Sequence, residues 1–239
     1  MSGNYQLAAE EYERLVFISE ASNPIILRLI QSYRLNNQPL LALHRMKSLW
    51  NEPGEIDAGV AKEYFSLEII NGNYDELLNE TKLNKQLSTA DMAFFEASIL
   101  LIKEQYGPAK SVIERIDFNQ SPVLRSYHAI GSDAMGMKLK NPWVSGSMSA
   151  VIPGSGKIYT GEWQDGLIAM AIIGTSLWQS YRGFNKNGIE SSLGWIMGAV
   201  GVGFYAGNIY GSVKSANKYN SQKKNIIKLR VQANFYNHL

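Results

Sequence analysis

The sequence predicts an all-α chain in two parts. Residues 1–140 read as a solenoid of helical hairpins, and residues 141–212 as a segment holding a two-helix transmembrane hairpin. A basic C-terminal tail, 213–239, follows. Three observations carry this prediction. A short turn-and-helix pattern returns at spacings of 34, 35 and 32 residues through the first part. The composition changes near Asn141-Pro142, from evenly mixed charged and apolar residues to a stretch, Ser145 to Ser212, crowded with Gly, Ala, Ile, Met and aromatics. Finally, Leu193 to Ser212 is 20 residues without a charge, the length a helix needs to cross hydrocarbon.

Whole-chain properties narrow the classes. A chain of 239 residues holds one large domain or two small ones, and 45% hydrophobic residues is ordinary for a globular protein. The net charge of +2 supplies no basic face for nucleic acid. With no cysteine, disulfides and thiolate metal sites are excluded. The first apolar run lacks a preceding basic segment, so it is not a signal peptide. The chain opens at Gly3-Asn4-Tyr5, which reads as the middle of a hairpin. The first helix of the first repeat is therefore expected to be missing, with the natural N-terminus upstream and room there for an export signal.

The repeat begins with Gly3-Asn4-Tyr5-Gln6-Leu7-Ala8 and returns as Asn37-Gln38-Pro39-Leu40-Leu41-Ala42, Gly72-Asn73-Tyr74-Asp75-Glu76-Leu77 and Glu104-Gln105-Tyr106-Gly107-Pro108-Ala109. A small or apolar residue recurs at Ala8, Ala42, Leu77 and Ala109. A bulky one follows four later at Tyr12, Met46 and Ile113. In the preceding helix Leu29, Ile30 and Tyr33 share one face. Asn23-Pro24 and Ser121-Pro122 supply a capping residue followed by proline at the first helical position, and Thr89-Ala90-Asp91 is a weaker signal of that kind. The pattern resembles the tetratricopeptide repeat, whose period is 34. In that family a Gly-x-Tyr opens the second helix, and the Ala after it lets two helices approach. The resemblance implies packing roles for Tyr5, Ala8, Tyr12, Tyr33, Ala42, Tyr74, Tyr106 and Ala109. It also implies a solenoid whose concave side binds a protein or peptide. Leu77 departs from the small-residue rule, and an irregular bundle of helical pairs remains the alternative.

The second part predicts transmembrane helices over about 166–182 and 192–212. The first is short and would by itself also fit a buried core helix. The second carries Gly194-x-x-x-Gly198 and Gly203-x-x-x-Gly207-x-x-x-Gly211, spacing that costs helix stability in water but lets helices meet closely in lipid. Those glycines, with Asn208, are the predicted helix-packing residues and a possible route to a homo-oligomer. Trp163, Trp178, Trp195, Tyr205 and Tyr210 suit the membrane interface. Arg182 to Glu190 reads as the turn between the helices.

Before the first helix stands Pro153-Gly154-Ser155-Gly156-Lys157-Ile158-Tyr159-Thr160-Gly161. It is not a phosphate-binding loop: Val151 stands where the first glycine belongs and Ile158 where Ser or Thr belongs. The Pro-Gly-x-Gly-x-x-Tyr-x-Gly pattern of Pro153, Gly154, Gly156, Lys157, Tyr159 and Gly161 resembles small bacterial two-helix membrane segments of the TM2 type. Gly166-Leu167 and Phe204-Tyr205-Ala206-Gly207-Asn208 extend the likeness, which spans Trp143 to about Tyr219. The combination with tetratricopeptide repeats is similar to proteins of Bacteroidetes-like bacteria, and implies a location in the bacterial inner membrane rather than a reaction. The turn is expected to anchor at headgroups or touch a partner. Ser145 to Ile152 is expected to be interfacial or re-entrant.

Lys138, Lys140, Lys157, Lys214, Lys218, Lys223, Lys224, Lys228 and Arg230 flank the hairpin, against Arg182 and Lys186 in its loop. That count puts the repeats in the cytoplasm, whereas a missing export signal would put them in the periplasm. In the tail, Ile227, Leu229, Val231, Ala233 and Phe235 alternate with polar residues, which is strand period; the tail is expected to be either a partner-binding strand or, more often, a surface helix or disordered end. His44, His128 and His238 lack companions at metal-ligand spacing. No nucleophile motif or acid pair stands out, so neither an enzyme nor a cofactor is expected. Two functions remain: a membrane-anchored scaffold or assembly factor, and a small lipid-handling or transporter-like protein whose glycine-rich hairpin oligomerises.

Overall fold

The computed structural model describes residues 4–18, 22–49, 57–83, 87–117 and 121–239. Gly3, which opens the first repeat, lies outside them. Among the described residues the fold is all-helical, with no strand. The chain divides into two compact units: residues 1–135 together with 228–239, and residues 136–227.

Among the described residues the first unit holds α1 (Tyr5–Ile18), α2 (Asn23–Leu35), α3 (Pro39–Leu49), α4 (Ala58–Asn71), α5 (Tyr74–Leu83), α6 (Thr89–Ile102), α7 (Tyr106–Glu114) and α8 (Pro122–Met135). It is a solenoid-like succession of hairpins. The second helices α1, α3, α5 and α7 begin at Tyr5, Pro39, Tyr74 and Tyr106, the positions at which the sequence pattern recurs. The tight turns repeat as well. Asn37, Gly72 and Glu104 each stand two residues before a second helix with a left-handed backbone, φ 60°, 86° and 61°. Only Gly72 adopts it without steric cost. At the helix starts, Ser88 Oγ accepts the Asp91 amide at 3.1 Å. Ser22, rather than Asn23, stands at the cap of α2, with proline in its first turn.

Burial follows the register. Ala42, Leu77 and Ala109 are buried, as are Met46 and Ile113. In the first copy Ala9 is buried and Ala8 only partly, while Tyr5 is exposed. Tyr12, Tyr33, Tyr74 and Tyr106 are half-buried. Tyr33 donates to Glu13 at 3.0 Å, and burial with that carboxylate beside it raises the phenol's pKa. The centre is aromatic: Phe94 stacks on Tyr127 at 5.5 Å and meets Phe95 edge-on, and Phe65 stacks on Phe95. Tyr127 is fully buried, which pushes its phenol well above the ordinary value, although Ser98 hydrogen-bonds it at 3.0 Å.

The second unit contains α9 (Pro142–Val151), α10 (Ser155–Tyr159), α11 (Trp163–Asn187), a single 3-10 turn (Gly188–Glu190) and the first part of α12 (Ser192–His238). One expectation needs correction. The segment Arg182–Glu190 is not a nine-residue turn. α11 continues to Asn187, because Asn and Lys are tolerated in a helix, and stops only at Gly188, φ 59°. Of the alternatives for the tail, the helix holds. It continues α12 to His238, because Ile227, Val231 and Phe235, all buried, are spaced four apart and so also form a helical stripe. Its last residues belong to the first unit, where Phe235 stacks on Phe94 at 5.6 Å and Arg230 pairs with Asp133 at 2.8 Å. Helices occupy both predicted spans, and among the described residues no helix is long and apolar enough to cross a membrane.

Candidate functional site

The glycine-rich turn and the helices around it form the densest arrangement of predicted site residues. Asn141 caps α9, its side-chain oxygen accepting the Trp143 amide at 2.9 Å. Gly154 and Gly161 sit at φ 86° and 93°, which glycine alone adopts freely. Gly154, Gly156 and Gly166 also touch backbone directly. A Cβ on Gly154 would lie 2.0 Å from the Gly166 carbonyl oxygen, and one on Gly156 would lie 2.0 Å from that of Ser145. The turn is therefore welded to α9 and to the first turn of α11 by backbone contact. Pro153, Lys157 and Tyr159 are half-buried, and the Lys140 ammonium stands 4.4 Å over the Tyr159 ring.

Small polar side chains line the interior. Ser145 Oγ shares its proton between the Ser212 and Gly156 carbonyls at 2.8 and 3.0 Å. Ser149 Oγ accepts the Gly156 amide at 2.9 Å and bonds Ser212 Oγ at 2.7 Å. Ser215 Oγ bonds Thr160 Oγ1 and donates to Glu162 at 2.7 Å, and Lys218 pairs with Glu162 at 3.0 Å. Hydrogen bonding from Ser215, then from Lys218, holds the Glu162 carboxyl below the usual carboxylate range. Sequence reasoning missed these serines. The signal was present as small residues four apart, Ser145/Ser149 and Ser176/Ser180.

Helices α11 and α12 run antiparallel. Gly183 meets Gly194, Ser180 Oγ donates to the Gly194 carbonyl at 2.8 Å, and Gly201 packs on Ser176 and Leu177. Of the predicted helix-packing glycines, Gly194 and Gly198 do pack against α11, and Gly211 lies beside the Lys157 side chain. Gly203 and Gly207 meet nothing: a Cβ on either would have no atom within 4 Å among the described residues. They open onto a groove of about 720 Å³ between α11 and α12. Its walls are Ile168, Ala169, Ile172, Ile173, Ala199, Val200 and Phe204, with Lys157, Asp165 and Asn208 as its polar members. Asn208 is 5% exposed, and neither its amide nitrogen nor its oxygen has a hydrogen-bond partner among the described residues.

The outer surface of this unit is apolar. Trp143 is 83% exposed and Val151 81%, and Trp163, Trp178, Trp195, Ile168, Ile196 and Val202 are exposed too. Arg182 stacks on Trp178 at 5.0 Å. Among the described residues no acidic or histidine cluster could hold a metal ion. No family, curated protein or solved structure matches this chain in comparison with known proteins.

Proposed function

We propose that the chain is a membrane-anchored scaffold or assembly factor. Its tetratricopeptide-type hairpins bind a protein or peptide, and its second unit lies in the bacterial inner membrane as a TM2-like helical hairpin. The observation that carries the membrane half is the inverted burial of residues 136–227. Ser145, Ser149, Ser176, Ser180, Asn208 and Ser212 are inside, while Trp143, Trp163, Ile168, Trp178, Trp195 and Ile196 face outward. Soluble monomers rarely expose apolar patches this extensive. Helices associating in lipid place small residues inside and large apolar ones outside. The aromatic positions agree. From Trp163 to Tyr181 along α11 is about 27 Å at 1.5 Å per residue, close to the roughly 30 Å hydrocarbon thickness.

The basic residues near Lys138, Lys140, Lys157 and Lys214 favour repeats on the cytoplasmic side. The binding role of the hairpins rests on their repeat register, with Ala42 and Ala109 buried at the recurring small-residue position. Fractionation of cells expressing the full chain tests the anchor: it should pellet with membranes and need detergent for release. A monodisperse, detergent-free species would refute it. Because the chain has no cysteine, single cysteines placed in the repeats and at Gly188 would report sidedness to an impermeant thiol reagent. The partner follows from co-purification out of native membranes; recovery of lipid without protein would refute the scaffold role.

A further inference from the structure

The groove between α11 and α12 has an apolar length and a polar end. The antiparallel register, set by Ser180 against Gly194 and Ser215 against Glu162, puts Asp165 beside the Asn208 turn of α12. Ile172 then lies deeper, nearer Val200. Lys157 stands at the polar end as well, its side chain against Gly211. Among the described residues Lys157 and Asp165 make no ion pair. Asn208, nine-tenths buried in the groove wall, leaves both a donor and an acceptor unmet. The same groove lacks atoms over Gly203 and Gly207.

Resting on the membrane reading above, we propose that this groove holds one zwitterionic phospholipid. An acyl chain lies over Gly203 and Gly207 between Ile168, Ile172 and Phe204. The phosphate meets Lys157 and the headgroup ammonium meets Asp165, the two charged members of the groove lining. The volume of about 720 Å³ is in the range of small-molecule sites, and an apolar lining with a few convergent polar groups is their usual make-up. A second helix is the competing occupant. A helix is about 10 Å thick with its side chains and can rest on the exposed Gly203 and Gly207, so loss of a dimer with lipid kept is the outcome that identifies it. A chain-plus-headgroup molecule matches an apolar groove that carries one basic and one acidic side chain, Lys157 and Asp165.

The test uses the full chain in nanodiscs of equal phosphatidylethanolamine and phosphatidylglycerol, re-extracted in mild detergent. Native mass spectrometry then counts retained lipid. One phosphatidylethanolamine per chain is expected. The Gly203→Leu/Gly207→Leu variant should retain at least tenfold less, with unchanged circular dichroism because both positions have open space and leucine favours helix. Asp165→Asn should abolish the preference for ethanolamine over glycerol headgroups, and Lys157→Gln should lower retention of both. Equal retention by the filled-groove variant overturns the proposal. So does a preference for phosphatidylglycerol in the unaltered chain, or a filled-groove variant that loses a dimer while keeping its lipid. If the unaltered chain proves soluble without detergent, the membrane reading fails separately. Titration with lysophosphatidylethanolamine in buffer then still decides the groove, through binding that the filled-groove variant either loses or keeps.

Discussion

Replacing Gly156 with alanine should collapse the turn that joins α9, α10 and α11. The added methyl would lie 2.0 Å from the Ser145 carbonyl oxygen, 2.6 Å from Ser149 Oγ and 2.8 Å from Ser212 Cβ. Two of those three atoms belong to side chains that cannot swing away, because Ser149 and Ser212 are buried and hydrogen-bonded to each other. Moving Ser145 aside breaks its bonds to the Gly156 and Ser212 carbonyls, and moving Gly156 breaks its amide bond to Ser149. Overpacking costs about 1–3 kcal/mol, and each lost bond about 0.5–1.5 kcal/mol more. A total near 4 kcal/mol corresponds to a fall in Tm well above 10 °C for a unit of this size. Tryptophan fluorescence reads it, since Trp143, Trp163, Trp178 and Trp195 all lie in residues 136–227. Gly174→Ala is the control. It sits mid-helix in α11 with nothing within 4 Å of a Cβ, so it should gain up to about 1 kcal/mol from helix propensity. If Gly156→Ala melts within about 2 °C of the unaltered chain, close backbone approach is not why glycine stands there.

Removing the Phe235 ring should loosen the first unit, because Phe235 is buried and stacked on Phe94. A loss of about 3 kcal/mol predicts amide exchange in α6 and α8 faster by roughly a hundredfold. Arg34 and Glu63 form a buried bidentate pair, 2.5 and 3.3 Å, with side chains 12% and 6% exposed. Arg34→Met leaves a buried carboxylate unpaired and should cost about 3 kcal/mol, whereas adding Glu63→Leu should restore most of it; urea unfolding of the three proteins by far-ultraviolet circular dichroism reads the difference. Glu162 titrates below its usual range in the folded chain, so its ties to Ser215 and Lys218 stabilise the fold above the ordinary glutamate pKa. That contribution is lost as pH falls through the lower folded value, and Glu162→Gln should remove this part of the acid-induced drop in Tm.

The repeats were legible because turn and helix chemistry repeat together. Asn37 and Gly72 are residues that accept a left-handed backbone, and each precedes a proline or tyrosine that opens a helix two positions later. Glu104 carries the same geometry without a sequence cue, and only the spacing exposes it. The tail was legible only as a set of alternatives, because Ile227, Val231 and Phe235 satisfy a four-residue repeat and a two-residue alternation at once. Period alone cannot separate the two, and the choice falls to α12, which simply continues. The glycines of α12 were legible as a packing stripe but not as two. Gly194, Gly198 and Gly201 face α11, while Gly203 and Gly207 face open space, and which side receives a partner depends on the register with α11.

Mean hydropathy and surface character answer different questions in residues 136–227. An average over α11 counts Ser176 and Ser180 equally with Ile168 and Trp178, although the serines are buried and the other two are exposed. Across the loop, α12 does the same with Asn208 and Ser212 against Ile196 and Val202. The buried polar residues lower such an average although the surroundings never meet them, and among the described residues no helix is long and apolar enough to cross a membrane. A water-facing helical pair of this composition would gain about 25 cal/mol per Å² by rotating Ile168, Trp178 and Ile196 inward and the serines out. The interior forbids that rotation: Ser180 is bonded to Gly194, and Gly183 lies against Gly194 so closely that no larger residue fits between the backbones. The apolar face is thus held outward by a polar, glycine-lined seam. That arrangement is stable where the medium outside is itself apolar.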